Sequence, residues 1–214
     1  MPAITVDQFL QRAHSALAMP TLYVLGQGAW TGNGPVPAQP GTPFDSAAVL
    51  QALAQRPETV DPKVRHYFDE ARSAGVDLAR LPARACDCSA YVAWCLGVPR
   101  SPSPLAGNSF WTNGIWADVD RPGGQGQMFR LLDRPVPGAL IVYPGRPDKD
   151  EVGHVAIVSE VVGGQVTRIL HCAPENYLSP SPPGAERNAI ASTDASHFEG
   201  RARVRHVMAL ALQT

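Results

Sequence analysis

The chain has 214 residues, 44% hydrophobic and 17% charged, with a formal net charge of -1, which is enough for one sizeable core and points to a single globular domain over 1–214. Near-neutral charge with no run of lysine or arginine leaves no electrostatic footprint for nucleic acid, and no basic amphipathic stretch suggests a membrane surface. No apolar run is long enough to span a bilayer, and four cysteines force no disulfide framework on a chain of this size.

In chain order, Thr5 with Gln8 three residues on reads as a capping box opening a helix to about Met19, with Phe9, Leu10, Ala13 and Leu17 as its apolar stripe and Pro20 as its stop. That start lacks the charged and apolar regions of an export signal, so ordinary secretion is not expected. Thr21 to Gly28 is a short apolar piece running into a loop-rich insertion at about 26–44. Asp45 caps a short helix through Ala54. Asp61, with Pro62 at the first position, starts another through Ser73, closed by Gly75, with Val64, Tyr67, Phe68 and Ala71 inward.

The stretch Ala85 to Gly97 predicts a helix with a cysteine in its first turn. Asp87 is its N-cap, Gly97 with Pro99 behind it is the stop, and Cys88, Tyr91, Val92, Cys95 and Leu96 share one face. A thiolate at Cys88 is favoured by the positive end of the helix dipole. The dipole contributes roughly 0.3–1 kcal/mol, less than the about 1.4 kcal/mol of one pKa unit, so activation requires a cationic partner. Two turns apart, roughly 10 Å along the axis, Cys88 and Cys95 lie beyond the about 7 Å limit for a disulfide with each other.

A second loop-rich insertion, at about 99–126, still carries Phe110, Trp111, Ile115 and Trp116, too many large apolar groups for a disordered linker. It predicts a loop flanking a cleft, its tryptophans either stacking on a ligand or filling the core edge. From Pro137 short β-rich runs follow at 139–143, 152–162, 165–172 and 204–212, with Gly163-Gly164 as a two-residue hairpin turn and a polar excursion from Pro174 to Ser196. Helices first and an antiparallel sheet second make an α+β fold. Counting outward from the turn, His154 falls opposite Ala173, close to His171, so the hairpin makes the two histidines neighbours. With the Cys88 helix end against that sheet, Cys88, His154 and His171 form a nucleophile, a base and the group that orients the base. Cys172 points to the strand face opposite His171.

These residues carry a resemblance. Asp87-Cys88-Ser89-Ala90-Tyr91-Val92, then Pro137 to Val142, then Gly153-His154-Val155-Ala156-Ile157-Val158, then Ile169-Leu170-His171 resemble the successive motifs of the NlpC-type cell-wall peptidases, a bacterial branch of papain-like cysteine hydrolases. Pro20 to Gly26 resembles that family's tyrosine-bearing loop. The resemblance implies a papain-like fold with N-terminal helices on an antiparallel sheet. It implies Cys88 as nucleophile at a helix N-terminus, His154 as base and His171 as the polar third member. The catalytic cysteine's backbone N–H is then part of an oxyanion hole. Tyr23 is then a helper in the substrate pocket, and Asp87, Ser89 and Trp111 are candidate substrate contacts. Family members cleave amide bonds in peptidoglycan stem peptides at D-glutamate and a diamino acid, and some are amidases or acyltransferases. Three positions depart from the pattern: Ala90 stands where glycine is usual, Ala139 where aspartate is usual, and the spacing from Tyr23 to Cys88 is long.

No cofactor or metal is called for. Two alternatives remain: a metal site built from Cys86, Cys88, His154, His171 and Cys172, whose spacing is not a usual zinc pattern, and a non-catalytic binding module. Within the hydrolase reading, the expected partner is peptidoglycan or a muropeptide. Without an export signal, the protein is expected to be cytoplasmic as made. It then either acts there on soluble muropeptides or another amide, or is delivered by a dedicated apparatus as an antibacterial effector, which implies an inhibitory immunity protein.

Overall fold

In a computed structural model the described residues are 4–28, 35–79, 84–101, 105, 110–120, 123–124, 126–149, 151–179 and 187–213. The N-terminal part contributes β1 (Ile4–Thr5), α1 (Val6–Ser15), β2 (Leu22–Tyr23), β3 (Thr42–Pro43), α2 (Ser46–Gln55) and α3 (Pro62–Ser73). Next come β4 (Arg84–Cys86), α4 (Cys88–Leu96) and α5 (Thr112–Val119), and then β5 (Phe129–Leu131), β6 (Leu140–Tyr143), β7 (His154–Val162), β8 (Gln165–Cys172), β9 (Ile190–Thr193), β10 (Arg205–Ala209) and β11 (Leu212–Gln213). Helices and sheets together make an α+β fold. No helix among the described residues is long and apolar enough to cross a membrane.

The caps read from the sequence form. Thr5 and Gln8 make both hydrogen bonds of a capping box, Asp45 accepts from the Ala48 amide, and Asp61 from those of Lys63 and Val64. Leu17 does not join the stripe: after Ser15 the chain tightens into a 3-10 turn over Ala16–Ala18, which rotates Ala16 into the core and leaves Leu17 37% exposed.

β5-β10-β6-β7-β8-β9 form a six-stranded sheet in which every pairing is antiparallel. Gly163 and Gly164 both have positive φ, the backbone that a two-residue turn needs to match strand twist. Beyond it Val158 pairs with Ile169 and Ile157 with Leu170. A small mixed sheet, β2-β4-β3, sets Tyr23 beside Cys86. The run expected at 204–212 divides into β10 and β11, the latter pairing with β1.

α4 is the hub. Every one of its residues is buried, so it has no solvent face to oppose the stripe expected from its sequence; a helix apolar all round belongs inside. It packs against α1, β7 and β8. The Tyr91 hydroxyl donates to the Ala13 carbonyl at 2.9 Å, and Arg12 donates to the carbonyls of Trp94 and Cys95 at the helix's last turn. Val155, Ile157, Leu170 and Cys172 face this core. Their alternates Ala156, Val158 and Ile169 join Tyr143 and Phe198 in a second apolar cluster on the opposite face of the sheet. By that alternation His154 and His171 project from the second face.

The 99–126 stretch is not simply a loop: Thr112–Val119 is helical. Phe110, Ile115 and Trp116 are buried there, filling the core edge. The loop expected at 26–44 includes 29–34, which lie outside the described residues, as does part of the 174–196 excursion.

Candidate active site

Asp87 fixes where Cys88 sits. Its Oδ1 accepts from the Ala90 amide and the Ser89 hydroxyl, each at 2.9 Å. Its Oδ2 accepts from the Gly26 amide at 2.9 Å and from Arg100 at 2.6 Å. One buried carboxylate therefore ties together the helix start, the loop after Tyr23 and an arginine beyond the helix. These four partners occupy Asp87, and Ser89 is buried with its hydroxyl turned onto it, so neither presents a free polar atom to a substrate. The Ala90 departure is accommodated by Gly28, where a Cβ would stand 2.5 Å from that of Ala90. Ala139 lies fully buried in the second apolar cluster, where a carboxylate would have few polar neighbours.

Cys88 is the first residue of α4 and is 3% exposed. The backbone N–H groups of Val155 and Ser89 point at its sulfur and favour the thiolate, as does Arg100, but burial first and Asp87 second push the thiol well above its ordinary range. Burial therefore works against the thiolate that the helix start favours, and Arg100, the nearby cation, is shared with Asp87. The Val155 amide places the sulfur against the residue that follows His154. Among the described residues no hydrogen bond joins the thiol to either histidine ring, and the Cys88 N–H has no partner.

The hairpin delivers the histidines as expected. His154 Nε2 and His171 Nδ1 are 2.9 Å apart, and His171 Nε2 lies 3.0 Å from Thr193 Oγ1 on β9. The Thr193 hydroxyl donates its one proton to the Asp194 carbonyl at 2.9 Å, and this sets the direction of the chain. Thr193 must accept from His171 Nε2–H, so His171 Nδ1 is an acceptor and takes the proton of His154 Nε2–H. The lone pair of His154 is left on Nδ1, the one ring nitrogen not committed to His171. Burial, followed by His171, His197 and Arg201, lowers the His154 pKa, and burial, followed by His197, lowers that of His171 to about 3. Both rings rest neutral.

Three tyrosines, Tyr23, Tyr67 and Tyr143, whose pKa values burial raises, lie close enough to Cys88 for its charge to raise them further. Tyr23 is buried with its pKa raised first by burial and then by Cys88, and the Tyr67 ring meets it edge-on at 4.9 Å. Tyr143 pairs with His154 across the strands, and its hydroxyl lies 3.3 Å from Nε2 of His197, whose ring centre is 4.3 Å from that of His154. Trp111 is 47% exposed where α5 begins, next to Thr112, whose hydroxyl stands 2.5 Å from where a Cβ on Gly153 would lie. Thr193, His197, Tyr67 and Tyr143 were not singled out from the sequence as site residues: no motif surrounds the first two, and the others read as core positions. Cys86 and Cys172 lie in the core behind the helix start, with Cys172 Sγ 3.7 Å from the Cys86 carbonyl, and no group of three metal-capable side chains forms among the described residues.

No curated protein and no solved structure matches the chain. Residues 81–171, which hold Cys88, His154 and His171, match the CHAP domain, a cysteine- and histidine-dependent amidohydrolase module found among NlpC-like cell-wall hydrolases, and the family resemblance carried by the motifs is shown for that segment.

Proposed function

We propose that the chain is a single papain-like cysteine hydrolase domain that cleaves an amide bond in peptidoglycan stem peptides. The observation that carries this reading is the directed chain from Thr193 through His171 to His154, which ends in an unprotonated nitrogen on the residue before Val155, whose backbone N–H points at the Cys88 sulfur. His154 Nδ1 takes the thiol proton as Cys88 Sγ attacks the substrate carbonyl carbon. The oxygen then carries negative charge and receives the free Cys88 N–H at the helix start. His154 returns the proton to the leaving amine as the C–N bond breaks; water then attacks the thioester, losing its proton to the same nitrogen, and that proton passes to the sulfur as the C–S bond breaks. His171 holds the His154 ring in the productive tautomer. Because the thiol and the imidazole both rest neutral, the ion pair exists only during reaction.

The test compares three forms at matched expression in bacteria: the protein as it stands, the protein behind a secretory signal fused ahead of Met1, and that exported form with Cys88→Ala. Lysis by the exported active form alone is expected. Lysis by the exported Cys88→Ala form would contradict the reading. Absence of lysis by a folded, exported active form would move the substrate to a soluble muropeptide or another amide.

A further inference from the structure

Beside the histidine cluster, the chain leading into β10 folds over the end of β6 and closes a cleft of about 210 Å³ lined by Tyr143, Arg146, Glu151, Arg201 and Arg203 among others. That volume is below the roughly 300–1,000 Å³ of sites that enclose a whole small ligand, so it suits one short side chain or terminal group. Three arginines against one glutamate give the lining a net charge of +2, in a chain whose formal net charge is -1.

The arginines are not equivalent. Arg146 lies 3.7 Å from Asp148 and 3.9 Å from Glu151, and Arg205, next in the alternation beyond Arg203, is paired with Asp120 at 2.7 Å. Arg201 and Arg203 have no carboxylate partner among the described residues. Each is instead held against an aromatic face, with the Arg201 guanidinium carbon 4.7 Å from the Tyr143 ring centre and that of Arg203 5.1 Å from Trp116. Such stacking orients the planar group and leaves its edge N–H donors free for a bidentate acceptor. The cleft adjoins the chemistry through Tyr143, which pairs with His154 and reaches His197.

We infer that this cleft is a subsite for a free carboxylate of the peptide substrate next to the scissile amide, with Arg201 and Arg203 as its donors. The inference rests on the hydrolase reading above, since stem peptides built on glutamate and a diamino acid carry such carboxylates beside their amide bonds. Two matched N–H···O bonds favour a carboxylate over the carboxamide of the same shape, whose NH2 would face the donors. Arg201 also lowers the basicity of His154, and a bound carboxylate offsets that field, so an acidic substrate strengthens its own base.

The experiment measures kcat and KM on soluble stem peptides in two forms, with the candidate carboxylate free and converted to the carboxamide. Wild type is expected to favour the acid about tenfold, mainly through KM, which corresponds to about 1.4 kcal/mol. The Arg201→Gln/Arg203→Gln double variant is expected to bring that ratio close to one, with Arg201→Lys between the two. Arg130→Gln, on strand β5, keeps the wild-type ratio. Equal hydrolysis of both forms by wild type, or an acid preference unchanged in the double variant, overturns the subsite while the hydrolase reading stands. Failure of folded wild type to cleave either form overturns both.

Discussion

On the helix side of Cys88, the Asp87 carboxylate accepts from two backbone amides, a serine hydroxyl and Arg100. On the hairpin side, His154 and His171 meet at 2.9 Å with Thr193 behind them. Both clusters are buried, yet they use burial differently. Asp87 gathers donors that hold three segments in place, whereas burial keeps the two histidines neutral. In the proposed mechanism, position comes from the first cluster and proton transfer from the second. Substitutions that separate folding from turnover test that division.

The largest effect is expected at His154. His154→Ala should lower kcat by about 10²–10⁴-fold, the range for a general base, with a thermal midpoint close to that of wild type; a collapse in stability would place His154 in the scaffold instead. Asp87→Ala should do the reverse, costing about 3–5 kcal/mol of stability by breaking a buried carboxylate's pairing with the part-buried Arg100 and leaving the Ala90 and Gly26 amides without their acceptor. Chemical denaturation measures it, and an unchanged midpoint would contradict the scaffold role.

A smaller effect separates positioning from structure in the relay. His171→Asn should retain more activity than His171→Ala. Thr193→Val should lose about tenfold in kcat, with the acid limb of its pH profile displaced, because the His171 tautomer is no longer imposed. Thr193→Ser should restore both. A Thr193→Val loss confined to stability would make the hydroxyl purely structural.

A further effect lies in pH dependence. Burial depresses both histidines in the folded state, so below about pH 6.5 the unfolded chain binds more protons than the native one. The stability associated with neutral His171 is therefore full above about pH 6.5 and falls as pH drops toward about 3. The slope is up to about 1.4 kcal/mol per pH unit for each histidine. His171→Asn should flatten the midpoint against pH over that window, and an equal slope in both proteins would contradict the burial argument.

What the sequence made legible was local. The Thr5, Asp45, Asp61 and Asp87 caps, the Gly163-Gly164 turn and the adjacency of His154 and His171 all depend on residues close in the chain or on counting from a turn. α5 was hidden because it begins after Trp111 without a side-chain cap and carries Gly114, so its opening resembles a loop. Thr193 and His197 reach the site through the β8–β9 pairing, whose connection includes residues 180–186 and has no hairpin signal. The resting state of Cys88 was unreadable for a different reason. The dipole and the Asp87 cap are read from neighbours in sequence, but the Arg100 partner and the desolvation that pushes the thiol up depend on how the folded chain buries Cys88.

The central claim is that Cys88 attacks a peptidoglycan amide and is acylated by it. The most direct measurement digests purified peptidoglycan and soluble stem peptides with wild type and with Cys88→Ala, identifying the products and the intact protein by mass. New amine and carboxyl termini at one bond are expected with wild type, together with a transient mass increase that maps to Cys88, and neither should occur with a folded Cys88→Ala protein. Identical products from both proteins, or an acyl group trapped on a residue other than Cys88, would contradict it.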